Sequence, residues 1–134
     1  MEKAHATGRI EVDTYEPVTF HKGTDGGPDL VEIHVTERFA GDVEGSGTAR
    51  FLQTAFADGS ASFTGMERVT GSLGGRQGSF VLQDAGTLEG SVVSGTWFVV
   101  PGSGTGELAG LRGDGGFRAD LGQNAEITLT YWFG

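Results

Sequence analysis

Three carboxylates carry the chemistry that this sequence offers. Glu37 shares its parity with Val31, Ile33, Val35 and Phe39 in an alternating stretch. Glu67 shares that of Phe63 and Val69, and Asp84 that of Phe80 and Leu82. In extended chain, residues two apart point to one face, so all three acids are expected on the core side of their strands. A buried carboxylate is costly unless it is paired, hydrogen-bonded or protonated. Two close together push one pKa up and leave an acid beside a base. Glu67 with Asp84 or Glu37 is therefore a candidate general acid and base, in a pocket lined by Phe63, Phe80, Trp97 and Tyr131. Such a pair suits isomerisation or cyclisation of an apolar substrate, where shape and one proton transfer do most of the work. A carboxylate-pair hydrolase is another use. The competing structural expectation is that each acid sits near an end of the fold, solvated or paired with an arginine. A third is a polar lining that only orients a bound ligand. Any bulge in these glycine-rich strands would flip the parity beyond it.

Other chemistries find less support. Gly104-Thr105-Gly106-Glu107-Leu108-Ala109 matches G-x-G-x-x-A after an apolar strand. That pattern holds a dinucleotide only where a helix follows. Here glycines at 110, 113, 115 and 116 follow instead, each costing a helix about 1 kcal/mol relative to alanine. A bent or bulged strand is the expected reading. His5, His21 and His34 lack metal-ligand spacing, so no metal is expected. No G-x-S-x-G elbow is present. No cofactor is implied. Trp97 and Trp132 are expected in the core, as aromatics usually are.

The elements that must position these residues are strands. No stretch sustains a helical period, while alternation and turn signals recur. Strands are expected over 6–13, 30–39, 43–56, 60–73, 78–85, 91–100, 106–112 and 126–133, with 117–123 partly extended. Residues 15–29, with two prolines and Asp25-Gly26-Gly27, read as a long connection. Asp58-Gly59 and Gly74-Gly75 are hairpin signals. About eight strands joined by tight turns predict an all-β fold, a single antiparallel β-barrel over 1–134 whose closure removes both edges. An open two-sheet sandwich is the alternative.

Composition narrows the partners. The net charge is −9, from nine basic and eighteen acidic residues. Nucleic acid and anionic membranes are disfavoured partners for such a chain. There is no cysteine and no apolar leader after Met1, which together predict a cytoplasmic location. Strand 91–100 is apolar on both faces, with Val93, Trp97 and Val99 on one and Val92, Phe98 and Val100 on the other. An outer apolar face predicts a homo-oligomer joined through that strand, the alternative being packing beneath the 15–29 connection.

Val99-Val100-Pro101-Gly102-Ser103-Gly104-Thr105-Gly106-Glu107-Leu108-Ala109-Gly110-Leu111 resembles the signature of a bacterial family catalogued as domain of unknown function 3224. Phe63-Thr64-Gly65-Met66-Glu67-Arg68-Val69-Thr70-Gly71, Leu73-Gly74-Gly75-Arg76-Gln77-Gly78-Ser79-Phe80-Val81-Leu82-Gln83 and His5-Ala6-Thr7-Gly8 resemble it too. The resemblance implies an allene-oxide-cyclase-like barrel of about eight strands, lipocalin-like in shape, and a homo-oligomer. It carries no agreed activity and no catalytic residues. The family pattern has a histidine after Val81-Leu82-Gln83, where this chain has Asp84. Taken together, these readings predict a barrel that binds a small apolar or amphipathic molecule inside. The alternatives are the acid–base cyclase or isomerase, the hydrolase, and a filled barrel serving only interactions.

Overall fold

A computed structural model describes residues 2–134. The strands are β1 (Ala4–His21), β2 (Asp29–Gly41), β3 (Val43–Ala55), β4 (Ala61–Leu73), β5 (Arg76–Glu89), β6 (Val92–Val99), β7 (Thr105–Gly106), β8 (Leu111–Asp120) and β9 (Ala125–Phe133). Every pairing is antiparallel, and the order β1-β2-β3-β4-β5-β6-β8-β9 closes because β9 returns to β1. The barrel is thus eight-stranded, with β7 added against β5 alone. Short hairpins build it. Leu73 and Arg76 flank Gly74 and Gly75, both at positive φ (56° and 85°), as the twist-matched two-residue hairpin turn requires.

The first strand is longer than the alternation predicts. Residues 15–21 continue β1 instead of forming a loop, and the connection shrinks to 22–28. A register shift between Val12 and Thr14 is the reason. It inserts Asp13, so the inward parity passes from Ile10 and Val12 to Tyr15, Pro17 and Thr19, which pair with Val35, Ile33 and Val31. Pro17 is tolerated there because β9 pairs with β1 only through Ile10, leaving the rest of β1 as an edge.

The predicted strand over 106–112 is also corrected. Positive φ at Gly102, Gly106 and Gly110 (85°, 60° and 83°) breaks the chain into turns, and β8 starts only at Leu111 and ends at Asp120, so the stretch 117–123 is extended in its first part only, as expected. Residues 100–110 form a strap over one end of the barrel. Ser103 Oγ accepts from Val81 N at 3.0 Å, Thr105 Oγ1 from Ser79 N at 3.1 Å, and Glu107 Oε1 from Gln77 N at 3.0 Å. The strap carries Leu108, fully buried, into that end, where it joins Val43, Leu73, Phe80 and Leu111 in one cluster. Leu108→Ala is expected to cost about 2–3 kcal/mol by lost transfer energy plus a cavity. Urea denaturation measures it, and a loss well below 1 kcal/mol would show that Leu108 is not a plug.

The outer face of β6, where sequence places a subunit contact, presents Phe98 at 42% exposure. Phe98 is in register with Gln83 of β5, which in turn neighbours Met66 of β4.

Candidate functional site

The barrel interior is divided. One apolar cluster fills the strapped end: Ile10, Phe39, Val43, Val69, Leu73, Phe80, Leu82, Trp97, Val99, Leu108, Leu111, Ile127 and Leu129, with Ala6. A second cluster, Val31, Ile33, Val35 and Ala49 with Phe51 and Ala55, lines the β2–β3 wall at the other end. Three inward acids belong to neither. Glu37 on β2, Glu67 on β4 and Asp84 on β5 are all buried, and with Ser79 they are the buried polar side chains among the described residues. Among the described residues no arginine or lysine is buried with them, so these acids have no buried basic partner.

Small residues make room for these carboxyls. Glu37 and Glu67 stand on strands separated by β3, a span of roughly 10 Å between backbones. The β3 residue in register with Glu37 is Gly47, and Glu67 is in register with Ala49. A Cβ at Gly47 would collide with Glu67 Oε2 and lie 2.8 Å from the Phe39 ring. The missing side chain is the space through which the Glu67 carboxyl reaches Glu37. Asp84 is in register with Gly65 on one side and Trp97 on the other.

Electrostatics separates the three. Burial pushes the Glu67 carboxyl up to about 11, and its hydrogen bond to Glu37 and the charges of Glu37 and Asp84 push the same way. Glu67 is therefore the protonated donor and Glu37 the acceptor. Burial raises Glu37 as well, while that hydrogen bond draws it down. Asp84 is pushed up to about 7, first by burial and then by the Glu37 charge, with the Gly65 amide opposing. Two buried oxygens, Glu67 Oε2 and Asp84 Oδ1, have no hydrogen-bond partner. The described residues hold no group of three His, Cys, Asp or Glu side chains arranged for a metal ion.

Two features connect this layer to the unstrapped end. Aromatic rings run across it: Phe51 meets Phe63 edge-on at 5.7 Å, Phe63 meets Phe117 at 6.1 Å, and Phe117 meets Trp97 at 5.1 Å. Phe51, Phe63 and Phe117 are only half-buried. The second is the seam where β1 outruns β9, whose pairing with β1 ends at Ile10. Val12 is in register with Glu37 and so shares its face, yet it is 53% exposed. Solvent thus comes within one residue of Glu37.

A sequence profile described as protein of unknown function (DUF3224) matches residues 6–131. The chain belongs to this family. A crystal structure of a DUF3224 protein of unknown function from Shewanella oneidensis superposes with a TM-score of 0.83 at 32% identity, covering 99% of both chains. No curated protein matches.

Within this DUF3224 barrel, the residues singled out by sequence divide by position. Glu37, Glu67 and Asp84 lie in one layer, with Trp97 beside Asp84 and Phe63 toward the unstrapped end. Phe80 is buried in the strapped-end cluster. Tyr131 also sits at that end, stacked edge-on with Phe133 at 6.2 Å and close to Gly74, away from the carboxylates. The glycine-rich stretch 99–111 forms the strap and its plug. Asp84, where the resemblance led to the expectation of a histidine, is buried. Residues that alternation did not single out are Gly47, Gly65, Phe117 and Val12. Each gains its role from cross-strand register, which no local pattern carries.

Proposed function

We propose that the unstrapped end of the barrel binds a small amphipathic molecule. Its apolar body lies along Val31, Ile33, Val35 and the half-buried rings of Phe51 and Phe63. Its polar head meets the carboxyl layer. The observation that carries this reading is the pair of buried, unpartnered oxygens, Glu67 Oε2 and Asp84 Oδ1. Buried polar atoms are almost always hydrogen-bonded, and a ligand donor would satisfy these two. An apolar wall with a few convergent polar groups and shifted pKa values is the usual make-up of a small-molecule site. Native mass spectrometry of freshly purified protein tests it, followed by calorimetry with eight-carbon amphiphiles. Retained small-molecule mass, or saturable binding that Phe63→Ala weakens, supports the reading. A chain that retains nothing and binds none of the amphiphiles is a filled barrel.

A second reading rests on the separated titrations. Glu67, held protonated, and Asp84, half-ionised near neutrality, make an acid and a base within one layer. Proton abstraction from an enolisable ketone, with isomerisation or cyclisation as the outcome, is the matching reaction class. Hydrogen exchange of cyclohexanone in deuterated buffer, followed by NMR, reports on it. Exchange above the buffer rate that disappears in Asp84→Asn supports the enzyme. Equal exchange in wild type and variant removes it.

A further inference from the structure

We propose that the head group accepted by the carboxyl layer is an organic ammonium ion. The proposal rests on the binding reading above and narrows it to a ligand class.

Charge is the first reason. Glu37, Glu67 and Asp84 share one buried layer, and no lysine or arginine among the described residues is buried with them. Arg38, whose β2 position neighbours Glu37, points outward instead, where its guanidinium donates to Asp13 Oδ1 at 3.0 Å and Glu11 Oε1 at 3.3 Å. Glu67 donates to Glu37 and the Gly65 amide donates to Asp84, which still leaves more carboxylate oxygens than donors. An interior carboxylate without a partner is strongly disfavoured. A cation is the ligand that removes this penalty, and an anionic head would add to it.

Hydrogen-bond geometry is the second reason. The two free positions, Glu67 Oε2 and Asp84 Oδ1, are acceptors on side chains 1% and 4% exposed. An ammonium carries donors and no acceptor. An alcohol carries one donor, whereas a primary ammonium carries three and neutralises charge at once.

The rings are the third reason. Trp97 is the β6 neighbour of Asp84, and its indole N–H is already committed to the Thr128 carbonyl at 3.0 Å. What Trp97 contributes beside Asp84 is therefore an aromatic ring, packed on Phe117, which in turn meets the half-buried Phe63. A cation gains from the face of such a ring when it is desolvated, and a carboxylate does not. The apolar wall of Val31, Ile33 and Val35 suits the alkyl part of an amine rather than a compact inorganic cation.

Calorimetry with octylamine, octanol and octanoate, one apolar body under three heads, provides the test. Octylamine is expected to bind tightest and octanoate weakest, with the amine preferred over the alcohol on the order of thirtyfold, the scale of one buried charge pair. In Asp84→Asn that preference is expected to collapse toward parity, with octanol serving as the control that the barrel still folds and binds. If octanol or octanoate binds as tightly as octylamine, or if the preference survives Asp84→Asn, the ammonium assignment is wrong and the barrel is still a ligand site. If none of the three binds, the binding reading falls and the assignment with it.

Discussion

Glu67→Gln is expected to stabilise the protein by about 3 kcal/mol at about pH 8 and to leave it nearly unchanged at about pH 4.5, where an unfolded Glu is only half ionised. The sign follows from the raised pKa. In the folded chain Glu67 stays protonated up to about 11, while in the unfolded chain it ionises near 4.5. Its favourable contribution is therefore complete in acid and is lost steadily as pH rises between those values. Each unit in that range costs about 1.4 kcal/mol as a ceiling, and sharing of the proton with Glu37 brings the total down. Asp84 adds a similar loss between about 4 and 7. The titrating groups that face Glu67 are Glu37 from β2 and Asp84 from β5, both acids, so no base reverses the trend. Glutamine matches the shape of protonated glutamate and keeps a donor for Glu37. Urea denaturation of both proteins across this range gives the difference directly. A variant that is less stable than wild type at the alkaline end would mean that Glu67 is ionised in the folded state, and the electrostatic account of the site would fail.

The carboxyl layer also shows where sequence is informative and where it stops. Parity places Glu37, Glu67 and Asp84 inward because β2, β4 and β5 alternate without a bulge along their paired lengths. Turn chemistry places the hairpins, since Gly74 and Gly75 both take positive φ and Asp58 caps its own turn through Ser60. What alternation loses is everything beyond a break in period. Asp13 reverses the parity of β1, so Tyr15 to His21 read as a loop although they continue the strand. Gly102, Gly106 and Gly110 look like points along a bent strand and instead fold the strap. Tyr131 has inward parity like Phe63, yet the two lie toward opposite ends of the barrel, because parity gives a face and not a height. Height along the barrel comes from register between strands far apart in sequence. That is also why Gly47 is invisible as a site residue until Glu37 and Glu67 are seen on either side of it.

Gly47 supports the second large expectation. Gly47→Ala is expected to cost about 4 kcal/mol, more than a glycine-to-alanine change usually costs inside a strand, where alanine carries no entropic penalty of its own. The backbone at Gly47 does not need positive φ, so strain of that kind plays no part. The cost arises because the new methyl would take the position of Glu67 Oε2 and press on the Phe39 ring at 2.8 Å. Phe39 is buried in the strapped-end cluster and has no room to yield. Glu67 must then swing away from Glu37, which leaves Glu37 buried and without its donor, a loss on the scale of a broken buried pair. The double variant Gly47→Ala with Glu67→Ala separates this from simple crowding. With the carboxyl gone the methyl has space, so the two changes together should cost clearly less than the sum of the single costs, a coupling of about 2 kcal/mol between neighbours. Additive costs would place the Glu67 carboxyl away from Gly47. The hydrogen bond between Glu67 and Glu37 across β3 would then have no path, and the shared proton on which the acid–base and ligand readings draw would lose its basis.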